Sequence, residues 1–279
     1  MDMTKLPAVT PENYYDPDIQ MAYMGATQFK AFQACEAAAL AELRGEYAPA
    51  SSTALLVGGY IDAYFSEELP LYQAKHPEIF KRDGQLKAEY LKAQDVINRM
   101  EEDELYSLLM SGKKQVIRTG LIAGVPFKIK IDVLLDADIC AMIVEKFPHA
   151  AAALGMCDGA IVDQKAMANL EPVWSPEDRC KVPFVEYYGY DIQGGIYQHI
   201  EGHMLPFILA VGTKENSPDL AAMYIDDADL AAALAVVEDN APRYQAIKEG
   251  RIQPVRCEHC DYCKATKRLT SILNYKEII

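Results

Sequence analysis

The residues best able to do chemistry lie in Asp163-Gln164-Lys165, which closes the short apolar run Ala160-Ile161-Val162. Residues at i and i+2 of a strand share a face, so Asp163 and Lys165 point the same way. Upstream, Phe127, Ile129, Ile131 and Val133 alternate with Lys128, Lys130 and Asp132. That pattern predicts a half-buried strand with the four apolar residues on one face and the charges on the other. Pairing of the two strands would bring the Asp132 and Asp163 carboxylates together with the Lys165 ammonium. Hard carboxylate oxygens suit Mg2+ or Mn2+, which keep bound waters, and the backbone carbonyl of Gln164 is a further ligand. Such an ion polarises a phosphate and activates water. Lys165 would orient or deprotonate that water and stabilise charge growing on phosphorus. The set suits phosphodiester hydrolysis. D-x-K alone is too short to carry the reading, so the weight rests on the order of several pieces along the chain.

One such piece is the run Tyr190 to Tyr197, in which Gln193 and Tyr197 stand four apart and share a helix face. An amide and a phenol there could bind phosphate or brace a lysine. Equally, Tyr197 could pack in a core while Gly194 and Gly195 let a neighbour approach closely. A separate constellation, Cys257-x-x-Cys260-x-x-Cys263, has the spacing of thiolates that converge on one metal or cluster. It needs a fourth ligand, either Cys35 or the local His259, and the spacing does not choose the metal. Seven cysteines are an odd number, and three of them crowd together. That fits metal binding in a reducing compartment better than a disulfide framework. Cys140, Cys157 and Cys180 show no grouping and read as ordinary buried thiols.

Several elements must position these groups. Apolar periodicity predicts a helix from Thr27, a plausible N-cap, to Leu43, with Gly45 as the stop. Further helices are predicted over Thr53–Phe65, Leu86–Met100, Asp103–Met110, Phe184–Ile200 and Asp227–Lys248, the last kinked or interrupted at Pro242. Strands are predicted over 115–122, 126–133, 160–165, 205–212 and 222–225. Helices, then a strand cluster, then helix, strands and helix indicate an α/β core: a mixed sheet flanked by helices.

The 279 residues, 51% of them hydrophobic, are ample for one large core with at most a small appendage. No run of 18 apolar residues occurs, so no membrane span is expected. Met1 to Gln20 has prolines and acids where a signal peptide would have a basic start and an apolar centre, which makes a cytoplasmic protein the default reading. The net charge of −14 argues against a broadly basic surface for nucleic acid but leaves room for a narrow basic groove on an acidic body. Lys264, Lys267 and Arg268 are either a local phosphate-contacting patch or a solvated face. Trp174 and Tyr188 could stack on unpaired bases, with core packing the simpler reading. His199 and His203 carry no assigned role.

Taken in order, Gly58 to Asp62, Asp132, Asp163-Gln164-Lys165 and Gln193 to Tyr197 resemble the RecB-like branch of the PD-(D/E)xK nuclease superfamily. That branch carries a G-x-x-x-H helix, an Asp-bearing strand, a (D/E)-x-K strand end and a Q-x-x-x-Y helix. Residues 124–132, 184–197 and 256–267 are similar to the phage and prophage RecE-like, or exodeoxyribonuclease VIII, group. The likeness runs from about Thr27 to Leu269. It implies a restriction-endonuclease-like α/β fold, with the Cys-rich C-terminal segment packed on the N-terminal helix. It also implies an N-terminal extension (1–26) followed by a single nuclease domain (27–279). The implied activity is a metal-dependent DNA exonuclease of phage recombination that hands a single-stranded tail to an annealing protein. The charge distribution would suit a homo-oligomer. The family histidine is Asp62 here, which becomes a third carboxylate for Mg2+ or Mn2+. Some RecB-like nucleases hold a [4Fe–4S] cluster with one N-terminal and three C-terminal cysteines, and Cys35 with Cys257, Cys260 and Cys263 matches that layout. The resemblance therefore implies [4Fe–4S], with zinc the alternative, as a clamp between distant chain segments. The stretch from Asp136 to Asp158 exceeds what a hairpin needs and reads as an insertion or helical excursion that could cover the cleft. The competing functional reading is a nuclease fold that has lost cleavage and binds DNA through its cysteine-held metal. An electron-transfer protein is weaker still, because it gives D-x-K no purpose.

Overall fold

The computed structural model describes residues 6–50, 52–272, 274 and 276. Among the described residues seven α-helices come first: α1 (Pro17–Ala22), α2 (Ala26–Ala34), α3 (Glu36–Leu43), α4 (Thr53–Phe65), α5 (Leu69–Lys75), α6 (Ala88–Glu102) and α7 (Glu104–Leu109), with a short 3-10 helix (Pro77–Ile79) between α5 and α6. The hairpin β1 (Lys113–Ile122) and β2 (Val125–Asp136) follows, then α8 (Ala137–Lys146), α9 (Ala151–Leu154) and β3 (Gly159–Met167). The chain continues through a small hairpin, β4 (Val173–Ser175) with β5 (Cys180–Val182), into α10 (Phe184–Tyr187) and α11 (Tyr190–Glu201). It finishes with β6 (Phe207–Thr213), β7 (Leu220–Ile225), α12 (Asp227–Lys248) and α13 (Asp261–Ala265).

The sheet order is β1-β2-β3-β6-β7. Only β3 and β6 run parallel; the other neighbours are antiparallel. The parallel step demands a crossover, and the segment from β4 to α11 supplies it. This is the mixed sheet flanked by helices that the sequence indicates. On one face Phe127, Ile129, Ile131, Phe207, Leu209 and Val211 pack under α2, α11 and α12. On the other, Val133, Leu135, Val162, Ile208 and Ala210 pack under α4, α6, α7 and α8. Helix α11 sits unusually close to its neighbours. A Cβ on Gly194 would lie 2.8 Å from the Phe207 ring, and one on Gly195 would lie 2.6 Å from the Leu230 carbonyl oxygen. No side chain fits at either position.

Several expectations need correction. The helix from Thr27 to Leu43 is two helices, because Cys35 is extended (φ −164°, ψ 108°) and Gly25 rather than Thr27 stands at the start. The break turns the Cys35 sulfur toward the C-terminal segment. Likewise 184–200 is divided at Gly189, whose φ of 61° ends α10 and opens α11. Conversely, α12 continues through Pro242 without interruption. Val133 does not share a face with Phe127, Ile129 and Ile131: it belongs to the opposite core. Strand β2 therefore changes face at Asp132. In the β1 pairing, Gln115 is the residue opposite this point, and it takes a left-handed φ of 51°. A non-glycine residue held there costs about 1–3 kcal/mol, so the irregularity is maintained at a price beside the carboxylate it aims.

The stretch 136–158 forms α8 and α9 and packs into the core beneath the sheet through Cys140, Ile143 and Leu154. It does not cover the cleft described below, which none of its residues lines. Cys180 is exposed and Cys157 half-buried, so of the three ungrouped thiols only Cys140 is in the core. Trp174 and Tyr188 are exposed at 57% and 43%, which removes core packing as their role. The described residues before Thr27 are tied in. Met24 is fully buried and bridges to Phe127, and Lys248 on α12 donates to the carbonyls of Gln20 (3.0 Å) and Tyr23 (2.9 Å). Among the described residues, no helix is long and apolar enough to cross a membrane.

Candidate metal-dependent active site

Strands β2 and β3 pair from Asp136–Gly159 to Val133–Val162. Beyond that point they separate, and a cleft of about 810 Å3 opens against α4 and α11. Asp132 stands where the ladder ends. Its Oδ2 accepts from the Gln164 backbone N–H at 3.0 Å, taking the place of a ladder bond. Asp163, on the parallel-paired half of β3, is 1% exposed. Its Oδ1 accepts from Gln193 Nε2 at 2.6 Å, and its Oδ2 is ion-paired with Lys165 Nζ. No aligned hydrogen bond reaches that Oδ2, which is buried. Asp62, on α4, joins Asp132 and Asp163 in the lining. Solvent reaches Asp62 through the cleft while protein surrounds it elsewhere, and that burial raises its carboxyl pKa against the pull of Lys165 and Lys130.

The electrostatics follow from crowding. Burial first, then the neighbouring Asp163 and Asp62 charges, hold the Asp132 carboxyl well above its ordinary range. Burial acts to lower the Lys165 pKa, but Asp163 and Asp132 outweigh it and hold the ammonium above its usual value. The lining also holds Lys128, Lys130 and Lys214. In a chain of net charge −14, the cleft sets four lysines, Lys165 included, against the three aspartates.

Helix α11 braces both strands. Gln193 fixes Asp163, and one turn on, Tyr197 donates to the Lys130 carbonyl at 3.1 Å. Burial raises the Tyr197 pKa well above its ordinary value. Two groups escaped the sequence reading. The Tyr190 ring lies 5.4 Å from Lys165 Nζ and 5.5 Å from Lys30 Nζ, within cation–π reach of both. Its position three residues before Gln193 on one helix face was the available signal. Lys30, lowered to about 8 by burial and then by Lys165, donates to the Tyr188 carbonyl at 3.0 Å and offers no sequence signal of its own. His199 bonds across to the Leu121 carbonyl on β1, and His203 bonds locally to Glu201. Lys264, Lys267 and Arg268 are exposed and lie outside the cleft lining.

The cysteines meet elsewhere. Sulfur atoms of Cys35, Cys257, Cys260 and Cys263 all lie within 4.8 Å of one another, so Cys35, not His259, completes the set among the described residues. Cys35 and Cys263 approach to 3.6 Å and Cys257 and Cys263 to 4.0 Å. The His259 and Cys260 amides donate to Cys257 Sγ at 3.4 and 3.3 Å, which lowers its thiol to about 6. These cysteines with Ala37, Ala38 and Tyr262 form a small satellite core that packs the C-terminal segment on α3.

A mixed sheet that splays at an Asp and presents D-x-K beside it is the arrangement expected of a PD-(D/E)xK-like fold. The chain belongs to the family of PDDEXK-like domains of unknown function (DUF3799), whose sequence profile matches residues 25–143 and 154–266. The gap between the two matched segments falls within the excursion 136–158. No curated protein matches the sequence. Among solved structures, a candidate exonuclease from Eubacterium rectale is 36% identical and superposes with a TM-score of 0.84 over 98% of each chain.

Proposed function

We propose that the protein is a Mg2+- or Mn2+-dependent DNA exonuclease, acting in phage or prophage recombination with a single-strand annealing partner. The observation that carries this reading is the convergence of Asp132, Asp163 and Lys165 at the splayed strands, with Gln193 holding Asp163. The donor set fits a hard divalent cation. Asp62, Asp132 and Asp163 line one cleft, one buried oxygen of Asp163 has no aligned donor, and carboxylates and carbonyls are what Mg2+ and Mn2+ prefer. Asp62, Asp132, Asp163 and the Gln164 carbonyl would hold it. When bound, the ion supplies a polarised phosphate and an activated water. Gln193 keeps Asp163 in one rotamer, Lys165 orients the attacking water and balances charge on phosphorus, and Tyr197 fixes the strand that presents Lys130 to the DNA backbone. The candidate exonuclease nature of the similar Eubacterium rectale protein supports the exonucleolytic mode.

For the four cysteines we propose a clamp role, and two metals compete. The family layout favours [4Fe–4S]. The sulfur separations of 3.6 and 4.0 Å favour a single tetrahedral ion, since Zn–S bonds of about 2.3 Å set sulfurs about 3.8 Å apart. A cubane, with four irons between its thiolates, needs a wider set. Metal analysis with visible absorbance of anaerobically purified protein decides: iron and sulfide with a broad band near the violet, or zinc and no band.

The activity test is digestion of linear DNA in Mg2+ and in Mn2+ by wild type, Asp163→Ala and Lys165→Ala. Metal-dependent release of nucleotides from ends, lost in both variants, is expected. A folded wild type that binds DNA without turnover would favour the inactive binding module instead. Native mass tests the homo-oligomer, and a monomer would remove it.

A further inference from the structure

The cleft carries aromatic surface that hydrolysis does not use. Tyr15 lines it and is 69% exposed, yet the ring is held in place. It meets Tyr14 edge-on at 5.0 Å and 78°, and the Lys130 ammonium stands 5.2 Å from its centroid. Tyr14 is itself buried, with Lys128 Nζ 4.0 Å from its ring centroid and donating to its carbonyl. The segment behind them is fastened by Asn13 Oδ1 to the Thr10 amide (2.7 Å) and by Tyr23 OH to the Pro7 carbonyl (3.0 Å). Tyr188, also in the lining, is 43% exposed, with its carbonyl held by Lys30 and its ring 5.1 Å from Tyr187 and 5.8 Å from Tyr190.

Fixed, exposed rings beside lysines are what an unpaired strand needs: its bases stack on the rings and its phosphates meet the ammonium groups. A closed duplex keeps its base faces stacked on one another and gains nothing from them. We propose that the cleft takes a single, unpaired DNA strand, with Tyr15 stacking on one of its bases and Tyr188 forming a second platform. The inference rests on the nuclease reading above and adds the strand state of its substrate.

The test uses the full-length protein. Fluorescence anisotropy would compare a short labelled single strand with the same sequence closed as a blunt hairpin. Tyr15→Ala should weaken strand binding by about tenfold and hairpin binding by much less, and Tyr15→Phe should keep strand binding. Trp174 is the one native tryptophan. In a Trp174→Phe background, Tyr15→Trp should therefore report stacking directly, as quenched emission on adding the strand. Unchanged emission at saturating strand, wild-type affinity in Tyr15→Ala, or tighter binding of the hairpin than of the strand would each overturn the proposal while leaving the nuclease reading standing. A wild type that neither binds nor cleaves any DNA would overturn both.

Discussion

The cleft and the cysteine site each gather anion-forming side chains from distant parts of the chain, but they close in opposite ways. At the cysteine site four sulfurs lie within 4.8 Å, backbone amides point at two of them, and a small apolar core surrounds them. Every ligand position is taken by the protein, as in structural metal sites. In the cleft the acids line a cavity of about 810 Å3 with lysines and tyrosines around them, and one buried carboxylate oxygen is left without an aligned donor. Free ligand positions and poised charge are what a catalytic centre keeps. Disturbing one region should therefore harm stability, and disturbing the other should harm turnover.

The largest expected effect separates them at once. Asp132→Asn can still accept from the Gln164 amide, but it removes a carboxylate from the cleft. DNA cleavage in Mg2+ should fall by at least about 10^3-fold, while the Tm of the divalent-free protein stays level or rises, read by gel assay and calorimetry. Cys263→Ser should do the reverse. Loss of a buried ligand should destabilise by roughly 3 kcal/mol or more, or about 6–12 °C in Tm, with cleavage well below that Tm close to wild type. If both substitutions lowered Tm equally, the division between the two regions would fail.

A smaller effect sharpens the cleft side. Tyr190→Leu removes the ring facing Lys165 and should slow cleavage by about tenfold through kcat, while Tyr190→Phe keeps the ring face and most of the rate. A loss confined to KM would move Tyr190 from positioning Lys165 to holding DNA. A further test concerns the contact of α12 with the N-terminal segment. Lys248 is lowered to about 7 by burial and then by Lys128, against roughly 10.4 unfolded. Between those values the unfolded chain binds more protons, so this group makes stability rise with pH from about 7 to 10. Lys248→Met should flatten that slope in denaturant titrations at several pH values, and an unchanged slope would mean that the three oxygens around its ammonium keep it charged.

What could be read in advance divides along similar lines. D-x-K on an apolar strand, Gln193 four residues before Tyr197, and the C-x-x-C-x-x-C spacing are local patterns, and the first two lie where strand and helix periodicity put them. The mixed sheet followed from element order. Elements that depend on tertiary strain were not legible. The face change at Asp132 needs a left-handed Gln115 on the neighbouring strand. The break at Cys35 carries no glycine or proline to announce it. Tyr14 and Tyr15 sit in a stretch with no periodicity, and only tertiary contacts, the lysines at their rings among them, show why they are fixed. Pro242 misled in the other direction, because α12 is not interrupted at the proline.

The most direct test of the central claim is a Mn2+ titration, followed by electron paramagnetic resonance, of protein freed of divalent ions with its cysteine-held metal left in place. The account expects Mn2+ to be taken up by wild type, lost in Asp132→Asn and Asp163→Ala, and retained in Lys165→Ala. Uptake that survives both aspartate substitutions, or no uptake by a folded wild type, would contradict a metal centre at the splayed strands.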